Sequence, residues 1–294
     1  MQKITELNEN KNLVLILGFF DGVHIGHQKV IKSAVDFAKK NALKSAILTF
    51  NIHPFCFFKN LKPKYIAQNR EKYIEDLGVD YFYEITFDNI IAKMNPEDYI
   101  KDILEKYFSP KAIFTGFNHT FGFDKKGTPK FLKDNQSKYN YEYFEIPPQK
   151  LGNEVVSSTK IREALINGDI KLVNQMLGRN FVISSSVVKG QQLGKTLGFQ
   201  TANIIYPDNI INIPFGVYEV NTTYGKGIAN FGIRPTINNS KVPVLEVHIF
   251  NFDKNIYGEE LSIEFINKIR DEQKFNSIEE LKEQIKKDIL AVIS

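Results

Sequence analysis

Residues 13–27 read Leu13-Val14-Leu15-Ile16-Leu17-Gly18-Phe19-Phe20-Asp21-Gly22-Val23-His24-Ile25-Gly26-His27. The first eight are apolar apart from Gly18 and show no polar alternation, the pattern of a strand covered on both faces. Asp21 ends the run, and Val30, Ile31, Ala34, Val35 and Ala38 then recur at helical spacing. A buried strand passing through a glycine-bearing loop into a helix opens a crossover unit, and repetition of such units makes a parallel sheet. Residues 45–50, 81–87, 111–116 and 141–146 are further strand candidates. Between them, Tyr99, Ile103 and Tyr107 recur every fourth residue, as on a helix face.

The pattern changes near Gly178. Two short helical segments precede it, with Ile161 and Leu165, then Ile170, Val173 and Leu177, on their apolar faces. Beyond Arg179 come short strand candidates at 181–189, 216–223, 227–231, 242–252 and 261–266, the spacing of a small barrel or sandwich. Ser277 and Glu280 have capping-box spacing before a last helix whose apolar stripe is Ile278, Leu281, Ile285, Ile289 and Val292. These shifts predict an α/β domain over 1–180 and a β-barrel domain with a C-terminal helix over 181–294.

The 294 residues are 43% hydrophobic and 24% charged, enough for two packed cores. The formal charge of +4 is small and interspersed, which argues against nucleic acid as a partner. The 13–20 run lacks the basic flank and cleavage site of a leader and is too short to span a bilayer. The one cysteine, Cys56, allows no intrachain disulfide, so the cytosol is the expected compartment. No obligate protein partner is evident from these features.

The carboxyl end of a buried parallel strand, facing a helix N-terminus, meets unpaired backbone N–H groups and a positive dipole end, and so suits phosphate. Gly18, Phe20, Asp21 and Gly26 form that loop, with Gly26 sparing a side chain where a nucleotide needs close approach. His24 and His27 are three residues apart and can reach one phosphate group; as metal ligands they lack a nearby Cys or third His. Ser158, Thr159 and Arg162 open a helix, and hydroxyls at its N-terminus with a cation one turn on make a second phosphate clamp. N-capping accounts for the hydroxyls equally well, and the two readings are compatible.

In the barrel half, Gly190, Gly194 and Gly198 recur every four residues, which suits a loop over phosphates. Gly194-Lys195-Thr196 imitates a P-loop, but the earlier glycine that motif needs is Lys189. Gly194, Lys195 and Thr196 are therefore expected as ATP contacts of another kind. Thr201 and Asn203 share a face of an extended segment and present two oxygens to one Mg²⁺. Val244, Glu246 and His248 likewise share a strand face, and Glu246 reads equally well as a solvent-facing carboxylate.

Four motifs carry a resemblance: 18–27, Thr49-Phe50-Asn51-Ile52-His53-Pro54, Gly116-Phe117-Asn118-His119-Thr120-Phe121-Gly122, and Ser157-Ser158-Thr159-Lys160-Ile161-Arg162. In order and spacing the chain resembles the bacterial bifunctional riboflavin kinase/FMN adenylyltransferase (FAD synthetase) family. The likeness continues through Gly216-Val217-Tyr218, 229–236, Leu245-Glu246-Val247-His248, Tyr257-Gly258 and Ile269-Arg270-Asp271-Glu272. It implies a Rossmann-like nucleotidylyltransferase domain and a six-stranded riboflavin kinase barrel. The implied activities are phosphorylation of riboflavin to FMN and adenylylation of FMN to FAD, with ATP and Mg²⁺. By the same resemblance His24, His27, Ser158, Thr159 and Arg162 hold ATP phosphates. His53 and Pro54 lie near the flavin phosphate, and Asn118, counted with them as flavin-binding, lies near the nucleotide and metal. Thr201 and Asn203 bind Mg²⁺ and phosphate, Glu246 is the general base, and Arg270 lies by the flavin or nucleotide loop. The family usually has Pro-Thr-Ala-Asn where this chain has Gln200-Thr201-Ala202-Asn203, so weaker ATP or Mg²⁺ binding is expected. A chain with only the adenylyltransferase active, a flavin sensor, and a transferase for another phosphate ester are the alternatives at this point.

Overall fold

The computed structural model describes residues 1–189, 199–235 and 241–293; Gly194, Lys195 and Thr196 lie outside them. The residues form two compact units, Met1–Pro63 with Asn69–Ser157, and Lys64–Gln68 with Ser158–Ser294.

The first unit is built on a six-stranded sheet: β1 (Gln2–Ile4), β2 (Leu13–Leu17), β3 (Lys44–Phe50), β4 (Tyr81–Ile85), β5 (Ala112–Gly116) and β6 (Glu142–Ile146). Its order is β1-β4-β3-β2-β5-β6, and every pairing is parallel. All five residues of β2 are buried because the strand has a core on each face. Leu13, Leu15 and Leu17 face a cluster with Tyr99, Ile103 and Phe108. Val14 and Ile16 face Val30, Ile31, Ala34 and Val35 of α1 (Ile25–Lys40). The four-residue spacing of Tyr99 and Ile103 falls in a π-helical turn, Tyr99–Glu105. From β2 the chain adds β3 and β4 on one side, then β5 and β6 on the other. The sheet order therefore reverses between β2 and β5, where open α/β sheets bind ligands outside the strands' carboxyl ends.

In the second unit two helices, α2 (Ser158–Asn167) and α3 (Ile170–Leu177), precede a closed barrel. Its strands are β7 (Phe181–Val188), β8 (Ala202–Ile205), β9 (Gly216–Thr222), β10 (Gly225–Pro235), β11 (Lys241–Ile249) and β12 (Glu260–Asp271), in the closed order β8-β11-β10-β9-β12-β7 and antiparallel throughout. Leu245, Val247 and Ile249 of β11 are buried while Glu246 and His248 are half-buried, the alternation of one inward and one outward face. By packing, α2 and α3 fall with the second unit, and α3 lies on β7 and β12. Asn174 of α3 donates to the Phe265 carbonyl at 2.8 Å and accepts from the Phe181 N–H at 2.8 Å.

The last helix, α4 (Ile278–Ile293), starts with the expected Ser277 cap, which accepts from the Glu280 N–H at 3.1 Å. Leu281, Ile285, Ile289 and Val292 of the expected stripe are half-buried, but the most buried residue of the helix lies beside them. Ile278 is 59% exposed, whereas Asp288 is 2% exposed and takes a two-pronged ion pair from Arg270 of β12 at 2.8–3.1 Å.

Candidate active sites

At the carboxyl end of β2 the chain makes a tight loop in left-handed backbone, with φ of 58° at Phe20 and 43° at Val23. A β-branched residue in that region is strained by about 1–3 kcal/mol, a cost found where a loop shape serves a site. The Phe20 ring folds back over Gly18, where a Cβ would lie 2.7 Å from the ring.

His24 then caps α1: its Nδ1 accepts the His27 N–H at 3.2 Å. The two imidazoles stack at 3.6 Å and 20°, and the Phe20 ring meets His27 edge-on at 5.2 Å. A Cβ on Gly26 would lie 3.0 Å from Cε1 and 3.1 Å from Nδ1 of His24. Gly26 thus makes room for the His24 ring, a role closer to hand than the nucleotide approach expected of it. The His27 Nδ1 is buried with no hydrogen-bond partner among the described residues. Burial, and secondarily the neighbouring His24, hold the His27 pKa well below the usual imidazole value. His27 therefore presents a neutral ring, held in place by the stack on His24, at a helix N-terminus.

His53 and Pro54 follow β3, with His53 Nδ1 accepting from the Phe55 N–H at 3.2 Å and its ring edge-on to Phe19 at 4.7 Å. Next to them Phe55 and Phe58 are 57% and 63% exposed, aromatic faces left open beside the loop. Asn118 follows β5, the strand beside β2, and its Oδ1 lies 3.6 Å from the Cβ position of Gly116. His24, His27, His53 and Asn118 therefore all follow the carboxyl ends of the three central strands.

Sequence reasoning missed Arg70. Its guanidinium donates to the carbonyls of Phe19 at 2.6 Å and Phe50 at 2.7 Å and to Glu84 Oε1 at 2.7 Å. It also lies over the Phe19 ring at 4.3 Å. One half-buried cation thereby ties the loop after β2 and the end of β3 to β4. No local pattern marks it, because two of its partners are main-chain atoms distant in sequence.

In the second unit Ser158 and Thr159 open the ten-residue α2, as expected, and Arg162 donates to the Lys64 carbonyl at 2.5 Å. In the barrel, Asn203 of β8 stands directly opposite Glu246 of β11, and Glu246 opposite Asn230 of β10, so the three share one outward row. Asn203 is 3% exposed, yet its Oδ1 has no partner among the described residues. An orphaned buried acceptor is costly unless a ligand satisfies it, so its chemistry fits a hard cation. Thr201 and Asn203 line a cavity of about 280 Å³ with Gln200, Asn255, Ile256 and Tyr257. The Gln200 carbonyl is bonded to His248 Nδ1 at 2.8 Å. Arg270, expected at the flavin, is engaged by Asp288, which Gln284 also contacts at 2.9 Å.

Among the described residues no helix is long and apolar enough to cross a membrane. A family model described as FAD synthetase matches residues 6–160, and one described as riboflavin kinase matches 177–293. The bifunctional riboflavin kinase/FMN adenylyltransferase of Bacillus subtilis is 36% identical over 95% of this chain and 91% of its own length. That of Buchnera aphidicola from Schizaphis graminum is 38% identical over 95% and 93%. A crystal structure from Streptococcus pneumoniae described as a macrolide-efflux protein has a TM-score of 0.88 at 28% identity, covering 100% of this chain and 99% of that one. With both catalytic modules matched in order and full-length relatives above 30% identity, the chain belongs to the bifunctional riboflavin kinase/FMN adenylyltransferase family.

Proposed function

We propose that the chain converts riboflavin to FMN in the barrel and FMN to FAD in the first domain, with ATP as the second substrate of both steps. The functional boundary is taken near residue 180, beside the start of the riboflavin kinase match at 177. The lone Cys56 and these substrates favour the cytosol.

For adenylyl transfer, an FMN phosphate oxygen attacks the α-phosphorus of ATP, the bond to the β-phosphate breaks, and pyrophosphate leaves. That oxygen is already anionic, so no protein base is required and positioning carries the rate. His24 and His27 are assigned to the ATP phosphates, with Gly18, Phe20, Asp21 and Gly26 shaping the loop around them. Ser158, Thr159 and Arg162 are assigned to ATP phosphates from sequence alone. His53, Pro54 and Asn118 are assigned to FMN, and the open faces of Phe55 and Phe58 suit its flat ring.

In the kinase step an alcohol attacks, and it becomes a competent nucleophile only as its proton is accepted. Glu246 takes that proton from the ribityl 5′-hydroxyl, the oxygen bonds to the γ-phosphorus, and ADP departs. Thr201 and Asn203 would hold Mg²⁺, which when bound neutralises phosphate charge. Gly194, Lys195 and Thr196 are assigned to ATP from sequence alone. Arg270 is assigned to the flavin end through its remaining N–H groups, oriented by Asp288.

The observation that carries the two-step reading is Glu246 standing opposite the orphaned Asn203: adenylyl transfer has no use for a base beside a cation ligand. Glu246→Gln should stop FMN formation, a loss of about 10²–10⁴-fold for a general base, and spare FAD formation from supplied FMN. His27→Ala should do the reverse. A kinase that survives Glu246→Gln removes Glu246 as the base, and equal loss of both steps in His27→Ala breaks the domain assignment.

A further inference from the structure

The His248 ring reaches across to the segment that leads into the cation ligands. Its Nδ1 lies 2.8 Å from the carbonyl oxygen of Gln200, 48 residues away in sequence. A carbonyl only accepts, so Nδ1 carries the proton and donates it. The same ring meets Phe199 edge-on at 5.5 Å and Phe250 at 5.8 Å. Thr201 follows Gln200 directly, but the ladder between β8 and β11 begins only at Ala202 opposite Val247. The His248 bond therefore extends the registration of this chain by two residues beyond the strand, across the position of Thr201. His248 lies on the outward face of β11, two residues from Glu246, so one strand would carry both the base and the tether of the cation ligands.

We propose that His248 is a positioning residue for the kinase step, holding the Gln200 carbonyl so that Thr201 and Asn203 are preset for the metal–nucleotide complex. The tether acts on the backbone at residue 200. A proline there restricts the same backbone by fixing φ and leaves the carbonyl in place. With Gln200 in place of that ring, the backbone here has the His248 bond as its restraint from across the barrel. The inference rests on the assignment of Thr201 and Asn203 to the metal–nucleotide site.

The test uses the full chain and measures Mg²⁺–ADP binding by calorimetry beside the kinetics of FMN formation. His248→Phe keeps a ring against Phe199 but removes the donor. It should weaken Mg²⁺–ADP and raise the KM for ATP by about tenfold, the scale of one lost hydrogen bond. The kcat should change by less than about twofold, because Glu246 is untouched, and FAD formation from FMN should not change. His248→Asn, which keeps an N–H near the Nδ1 position, should bind close to normally. Gln200→Pro added to His248→Phe should restore most of the lost affinity. Unchanged binding in His248→Phe, or a loss that neither His248→Asn nor Gln200→Pro recovers, overturns the proposal. ¹⁵N spectra of histidine-labelled parent protein give a check that needs no variant to fold, since a His248 Nδ1 without a proton also overturns it. Asn203→Ala separates the two layers. If it binds Mg²⁺–ADP normally, the ligand assignment fails. If it binds weakly while His248→Phe binds normally, only the role of His248 fails.

Discussion

Gly26→Ala should slow FAD formation without destabilising the protein. The added methyl would sit 3.0 Å from His24 Cε1 and 3.1 Å from Nδ1, inside the ordinary carbon contact distance, so the imidazole must move by a few tenths of an ångström. His24 is 5% exposed and stacked on His27 at 3.6 Å, so the shift passes to His27. It also stretches the 3.2 Å cap bond beyond useful hydrogen-bond length, a loss of ~1 kcal/mol. Alanine in the first turn of α1 recovers at most ~1 kcal/mol of helix propensity, so net stability stays near that of the parent. The reaction gains nothing in return. A 1 Å misplacement of positioning groups costs about 10²-fold, so a shift of a few tenths costs about fivefold to tenfold. Purified parent and variant would be compared for FAD made from FMN, FMN made from riboflavin, and thermal midpoint. The expected result is a fivefold to tenfold lower kcat/KM for FAD formation, with the kinase within twofold and the midpoint within a few degrees. FAD formation at the parental rate would refute the view that Gly26 exists to seat His24.

The remaining predictions concern groups that act from beneath the sites. Arg70→Lys keeps the charge but cannot reach two carbonyls and Glu84 together, so FAD formation should fall about tenfold while the kinase is spared; steady-state rates of the two half-reactions decide this. Asp288→Ala takes the counter-ion from the Arg270 guanidinium where only 16% of its side chain is exposed, and should destabilise the barrel by about 3–5 kcal/mol in denaturant unfolding. Burial pushes His119 down to about 4 and holds His27 low as well. Both groups bind protons more tightly unfolded, so their contribution is complete above the unfolded value near 6.5 and is lost progressively as pH falls from there toward the folded value, about 4 for His119. Thermal midpoints should therefore decline from pH 7 to pH 5, above the range where carboxylates titrate, and His119→Phe should flatten that decline. An unchanged slope would remove His119 as a contributor.

Much of the first unit was legible because its information is local. The 13–20 run is apolar at every position but Gly18, since β2 has a core on both faces, and the site loops follow directly from β2, β3 and β5. The barrel strands were legible through their alternation: Glu246 and His248 fall outward between Leu245, Val247 and Ile249. What stayed hidden depends on partners distant in sequence. Arg70 acts through carbonyls 51 and 20 residues away, and Gln200 is held from 48 residues away. The last helix shows the same limit. Its apolar periodicity is real, yet the buried residue is a carboxylate whose counter-ion, Arg270, lies on the preceding strand. The apolar stripe of α3 likewise declares that it packs, not that it packs on β7 and β12.

The central claim is that one chain carries both steps. It is tested most directly by incubating purified protein with riboflavin, ATP and Mg²⁺ and separating the flavins by chromatography over time. The account predicts FMN first and FAD after it. FAD from supplied FMN, with no product from riboflavin, would contradict it by showing that the barrel, despite Glu246 opposite Asn203, is not a working kinase.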